Sequence, residues 1–260
     1  MTNKIEIAPL AGALGAEIYG VDLTRSLTNQ EFAEIMQAFL DYQVIFFRDQ
    51  HDLSPEQHKA FASRFGSLNV HPYVAGMAEH PELLEIIKEP EDKLNFGGGW
   101  HSDMSFLEVP ALGSILYALE VPQYGGDTLF ASQSKAYDAL SDGMKDMLSG
   151  LSAVHSASRE YSAKGASAQA RSSMQSTQVQ EAPEYEHPVV RTHPQTGRKG
   201  ALHKSSLYAS FLRYDEAREQ TIARFPVRTF PGRAIYVPIQ VAEGIACVLG
   251  QSLLLALRFE

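Results

Sequence analysis

The 260-residue chain is predicted to be α+β and mainly β, a sandwich or jelly roll carrying helical decoration. Short apolar runs are cut repeatedly by Gly and Pro, helical periodicity is concentrated early, and no compositional break divides the chain, so one domain spans 1–260. Residues 5–10 and 16–19 have the length and composition of short strands. Thr28-Asn29-Gln30-Glu31 is a capping box, and Phe32, Ile35, Met36, Phe39 and Leu40 follow at helical spacing as a core-facing stripe. Val44-Ile45-Phe46-Phe47 is a buried strand, and Ser54-Pro55-Glu56-Gln57 opens a second helix with a cap and a first-turn proline. Residues 83–87 and 114–119 are further strands, and Gly125-Gly126-Asp127 turns the chain into a strand at Thr128-Leu129-Phe130. Helices are expected over 134–140 and 142–151. Residues 156–186 are rich in Ser, Ala and Gln without apolar periodicity, which predicts a mobile loop acting as a lid. Strand and turn chemistry resumes over 187–194.

A net charge of −9 and a pI near 5.5 argue against a nucleic-acid or anionic-membrane surface and favour a small-molecule partner, with self-association into a homo-oligomer left open. The first residues lack an apolar signal core and no later run approaches a membrane span, which predicts a soluble cytoplasmic protein. The single cysteine, Cys247, excludes an internal disulfide and a thiolate zinc cluster, so any metal must rely on His and carboxylates.

One such group is conspicuous. In Trp100-His101-Ser102-Asp103, entered through Gly97-Gly98-Gly99, His101 and Asp103 would share one face of a strand, about 6.7 Å apart along the backbone. An imidazole and a carboxylate so placed can converge on one ion. The pair suits two ligands of a 2-His-1-carboxylate Fe(II) site, with a hydrolytic His/Asp zinc site as the rival enzyme class.

Several stretches in order make the reading more specific: Phe47-Arg48-Asp49-Gln50, Trp100-His101-Ser102-Asp103 with Ser105-Phe106-Leu107-Glu108, Gly125-Gly126-Asp127-Thr128-Leu129, and the segment from His187 through Gly197-Arg198-Lys199. Over residues 5–200 the chain resembles the taurine dioxygenase / 2,4-D dioxygenase (TauD/TfdA-like) family of Fe(II)- and 2-oxoglutarate-dependent oxygenases. The resemblance implies a double-stranded β-helix, cupin-like, in which His101 and Asp103 are catalytic iron ligands and Thr128 hydrogen-bonds the 2-oxoglutarate carboxylate. It also implies that His71 contacts the substrate anion. Fe(II), 2-oxoglutarate and O2 would together hydroxylate a small anionic substrate, yielding succinate and CO2. Gly97 stands where the taurine enzyme has Asn, and the tyrosine of His71-Pro72-Tyr73-Val74 is displaced by one place. The head group is thus left open among sulfonate, alkyl sulfate and carboxylate.

The family's distal histidine, preceded by a Trp-Asp-Asn-Arg strand end, and its 2-oxoglutarate arginine have no counterpart motif here. After Asp103 the histidines are His155, His187, His193 and His203, each expected to be structural or exposed rather than a replacement ligand. Codon degeneracy accounts for the break. Read one base out of frame, Gly200-Ala201-Leu202-His203-Lys204-Ser205 permits ALYINP, residues 219–229 permit SKLLLDFLYEH, and residues 237–252 permit CRFRWRKGSLAFWDNR, the family's strand before the distal histidine. Residues 201–260 are therefore expected to be an out-of-frame tail lacking the family's core strands, third ligand and arginine. An incomplete fold with weak binding of iron and 2-oxoglutarate follows, with a non-catalytic ligand-binding member as the alternative.

Overall fold

The computed structural model describes residues 5–87, 101–120, 128–161, 184–201, 246–250 and 254–258. The expected glycine entry at 97–99, Trp100, the turn at 125–127, the centre of the lid and His203 lie outside the described residues.

Strands β1 (Glu6–Pro9) and β2 (Ala16–Tyr19) pair antiparallel, with Glu6 opposite Tyr19. Their connection closes where Leu10 N–H donates to the Gly15 carbonyl at 2.9 Å, and Gly15 sits at φ 93, which a residue without Cβ accepts readily. Helix α1 (Asn29–Tyr42) begins with the expected capping box: Thr28 Oγ1 accepts from Glu31 N–H at 3.2 Å, and the Glu31 carboxylate accepts from Thr28 N–H at 2.7 Å. It ends at Gln43 in the left-handed region, which turns the chain directly into β3 (Val44–Phe47).

All four residues of β3 are buried, because the strand lies inside a sheet and beneath α1 and α2 (Pro55–Ala62). The core joins Ile18 of β2, Ile35 and Phe39 of α1, Ile45 and Phe47 of β3, and Phe61 of α2. Phe61 meets Phe47 edge-on at 5.6 Å and Phe65 at 5.3 Å. The Phe47-Arg48-Asp49-Gln50 motif is part of this scaffold. Buried Gln50 accepts from Leu23 N–H at 2.8 Å and donates to the carbonyls of Val21 and Arg48 at 3.0 and 2.7 Å, clasping two loops together.

Further along come β4 (Gly113–Tyr117), β5 (Thr128–Ser132), α3 (Gln133–Asp138), α4 (Asp142–Ser149), β6 (Ser152–Ser156) and α5 (Ser158–Tyr161). They are followed by β7 (Glu184–Pro188), β8 (Val190–Thr192), β9 (Lys199–Ala201), β10 (Ala246–Gly250) and β11 (Leu254–Arg258). One sheet has the order β1-β2-β3-β10-β4, and three pairs, β11-β5, β6-β7 and β8-β9, complete the described strands. Among the described residues no helix is long and apolar enough to cross a membrane.

Three expectations need correction. Residues 83–87 are not a strand: Leu83 spends its carbonyl on Met77 N–H and its own N–H on the His80 carbonyl, both at 2.9 Å, so a local turn takes the groups a ladder would need. The segment expected as a lid is ordered at both ends, since Ser156 closes β6, α5 follows, and β7 starts at Glu184; residues 162–183 lie outside the described residues. Tail strands expected to be absent are found, with β10 between β3 and β4 and β11 beside β5. Ladder pairing is made by backbone groups, so an apolar run such as Ala-Cys-Val-Leu-Gly can fill a strand position without the family's side chains.

Candidate functional site

His101 sits in an isolated β-bridge, but Asp103 opens a turn, so strand alternation is not what brings them together. Leu107 N–H closes the turn onto the Met104 carbonyl at 3.0 Å, with Met104 at φ 52 in the left-handed region. The turn brings Asp103 Oδ1 to 3.0 Å from His101 Nε2. Both side chains remain accessible, at 24% and 37% exposure, so an ion can reach them. Two cis ligands about 2.1 Å from an octahedral ion stand about 3 Å apart, so the separation and the nitrogen/oxygen donor set fit a divalent first-row metal. Among the described residues no group of three His, Cys, Asp or Glu could hold a metal ion.

Neighbouring elements fix this turn. Ser114 of β4 donates to Asp103 Oδ2 at 3.1 Å, and buried Gln133 at the start of α3 donates to Ser102 Oγ at 3.1 Å. From the β6-β7 hairpin, His187 Nε2 donates to the Leu107 carbonyl at 2.9 Å while His155 Nδ1 meets Ser105 Oγ at 3.1 Å. The two rings pack edge to face, 5.5 Å apart. Burial holds His187 below the ordinary histidine range, partly offset by its bond to the Leu107 carbonyl, so it serves as a neutral donor. His193 plays a structural part elsewhere, its Nδ1 accepting from Gln195 and Thr196 N–H at 3.2 and 3.3 Å. Each of these three histidines makes a structural hydrogen bond.

His71 joins the same region. Its Nδ1 accepts from the backbone N–H groups of Tyr73 and Val74 at 3.1 and 3.0 Å, and its Nε2 lies 3.2 Å from Tyr161 Oη. Burial pushes its pKa down to about 4, against the opposing pull of the Asp103 carboxylate, so the ring is neutral near pH 7. Tyr73, Phe106 and Tyr161 form an aromatic wall beside it, with Tyr73 and Tyr161 centroids 4.9 Å apart and Phe106 at 5.6 and 5.9 Å from them. Met104 and Leu107 of the Asp103 turn pack on this wall. His101, Asp103 and His71 thus belong to one neighbourhood.

Thr128 is half-buried at the first position of β5 and is tied to that neighbourhood through Gln133, where β5 runs into α3. The β5-β11 register seats Arg258 opposite Thr128. Sequence reasoning missed Tyr161 and the brace formed by Ser114, Gln133, His155 and His187. One signal was present: His155 falls two residues after Ala153 in a run that reads as strand, which puts a histidine on the buried face.

A family model for the taurine catabolism dioxygenase TauD, TfdA family matches residues 6–225, running past Gly200 into the segment read as out of frame. An alkylsulfatase of Acinetobacter baylyi is 32% identical over 203 residues, covering 77% of this chain and 63% of that protein. An (S)-phenoxypropionate/alpha-ketoglutarate-dioxygenase of Sphingobium herbicidovorans is 34% identical over 206 residues, covering 78% and 71%. The crystal structure of a taurine dioxygenase from Burkholderia xenovorans superposes with a TM-score of 0.78 at 28% identity, covering 98% of this chain and 83% of that one. The chain therefore spans less than two thirds of the alkylsulfatase's length.

Proposed function

The chain belongs to the taurine catabolism dioxygenase TauD, TfdA family, and on that premise we propose that it is a single-domain double-stranded β-helix carrying an Fe(II)- and 2-oxoglutarate-dependent hydroxylase site for a small organic anion. The observation that carries this reading is the 3.0 Å approach of His101 Nε2 to Asp103 Oδ1 on a turn braced from three directions. In the proposal these two side chains hold the iron. Bound there with 2-oxoglutarate and O2, iron supplies the oxidation that converts a substrate C–H to C–OH as 2-oxoglutarate becomes succinate and CO2.

The protein's own part is placement. Ser114 and Gln133 keep the ligand pair aimed, and Thr128 offers an uncharged hydroxyl to the cosubstrate carboxylate. Neutral His71 marks the end of the pocket that takes the substrate's anionic head, while Tyr73 and Phe106 exclude water from its carbon skeleton. The relatives' names, an alkylsulfatase and a phenoxypropionate dioxygenase, favour a sulfate ester or carboxylate head.

With two protein ligands in place of three among the described residues, this chain is proposed to hold iron weakly, and restoring the frame after Lys199 to supply the missing histidine. Anaerobic titration with Fe(II) and 2-oxoglutarate is expected to show binding at least tenfold tighter in the frame-restored chain. Equal affinity would contradict this account of the tail, as would a coding strand unable to encode FWDNR in the displaced frame. Oxygen-dependent succinate formation by the restored chain tests the reaction class. Metal-dependent ester hydrolysis without oxygen would overturn it in favour of a hydrolytic metal site, and ligand binding with neither reaction would favour the non-catalytic reading.

A further inference from the structure

His71 has a constrained tautomer. Its Nδ1 accepts two backbone N–H groups, from Tyr73 and Val74, so that nitrogen carries no proton and the ring's single N–H lies on Nε2. Nε2 faces Tyr161 Oη at 3.2 Å. The hydroxyl oxygen therefore accepts from the ring, and its own proton is directed away from His71. A hydroxyl that accepts one hydrogen bond donates the next more strongly.

We propose that Tyr161 is the anion-contacting half of the substrate site: its hydroxyl, polarised by His71 Nε2–H, donates to the anionic head of an organic sulfate, sulfonate or carboxylate whose carbon skeleton lies along the Tyr73 and Phe106 rings. The inference rests on the reading that His71 marks the substrate pocket, and adds a donor from a different segment. Tyr161 ends α5, where its N–H bonds the Ala157 carbonyl at 2.9 Å, and its ring is buried against His71 at 5.3 Å and Tyr73 at 4.9 Å. The hydroxyl is thus held in place before any ligand arrives, which lowers the ordering cost of binding. An uncharged donor also suits a pocket next to Asp103, because it receives an anion without becoming a salt-bridge partner of that carboxylate.

Tyr161→Phe keeps the ring and removes only the donor. Binding of hexyl sulfate, hexanesulfonate and hexanoate is measured by calorimetry on the full chain, with and without Fe(II) and 2-oxoglutarate under anaerobic conditions, with 1-hexanol as the uncharged reference. The expected result is a loss of about tenfold or more for the preferred anion in Tyr161→Phe, with hexanol binding and the thermal midpoint little changed. Ring 15N spectra of labelled histidine in the unsubstituted chain supply a second readout: His71 is expected as the Nε2–H tautomer, with Nε2 shifting when the anion binds. Anion affinity within twofold of the parent in Tyr161→Phe, or a His71 ring protonated on Nδ1, overturns the proposal. If Tyr161→Phe is neutral while His71→Asn weakens the anion, only the tyrosine's role fails. If none of the three anions binds the unsubstituted chain under either condition, the anion site itself fails.

Discussion

His187→Phe tests whether the β6-β7 hairpin holds the metal-binding turn. The substitution keeps an aromatic ring of similar size against His155 and deletes the Nε2–H that reaches the Leu107 carbonyl at 2.9 Å. His187 is 5% exposed, so water cannot readily replace the lost donor, and a buried carbonyl left without its partner costs about 1–3 kcal/mol. With a urea slope of about 2 kcal/mol per molar, a cost near 2 kcal/mol moves the unfolding midpoint down by about 1 M. Leu107 also closes the turn that presents Asp103, so part of that cost falls on the folded ensemble as a loosened ligand pair. If 1.4 kcal/mol of it does so, metal affinity drops about tenfold. The chain's one tryptophan, Trp100, adjoins His101 in sequence and reports both urea unfolding and Mn(II) titration by fluorescence. His193→Phe is the control, since it removes a turn cap that accepts from Gln195 and Thr196 and should lower stability without weakening metal. A His187→Phe midpoint within about 0.2 M of the parent, or equal metal loss in both variants, refutes the brace.

Further outcomes follow from the same geometry. A Cβ on Gly76 would fall on the Pro81 carbonyl oxygen and 2.9 Å from that of Leu83, so Gly76→Ala is expected to cost about 2–3 kcal/mol in urea unfolding; an unchanged midpoint would mean the 76–83 turn gives way freely. His71 titrates near 4 in the fold, mainly through burial, against about 6.5 unfolded, so unfolding takes up a proton between those values. Its contribution is intact above pH 6.5 and is lost as pH falls toward 4, by about 2 kcal/mol once solvent screening of the partly exposed ring is allowed for. His71→Asn should flatten that part of the pH profile, and a parallel profile would refute the assignment.

The parts of the fold that were legible in the sequence are those set by local chemistry. Thr28 with Glu31, and Ser54 with Gln57, announce helix starts because each box satisfies two backbone donors within four residues. The four apolar residues of β3 announce burial on both faces. Residues 83–87 carry a similar apolar signal, yet a turn already occupied the backbone of Leu83, and no periodicity reveals that competition. The candidate site divides in the same way. His101 and Asp103 were visible as a pair, but Asp103 lies in a turn and not in the strand that their spacing suggested. Tyr161 was hidden for a different reason: it stands in a Ser- and Ala-rich segment with no period to orient it, and only the packed ring of His71 gives it a role.

The tail separates what a fold asks of a segment from what chemistry asks of it. Between β3 and β4 the sheet needs a strand able to pair on both edges, and Ala246 to Leu249 do so, with Cys247 opposite both Phe46 and Leu116 and Gly250 pairing with β4 alone. The displaced frame would put Leu-Ala-Phe-Trp-Asp at those positions, and either string provides backbone donors and acceptors in sequence. Strand pairing therefore tolerates the exchange. A metal site does not, because a third ligand requires an imidazole at one place, and neither β10 nor β11 contains a histidine. The backbone of β11 pairs with β5 in the same way, with Arg258 in register with Thr128. The proposed defect is consequently narrower than the length of the altered segment suggests. It falls on the third iron ligand, while the strand positions filled by β10 and β11 persist.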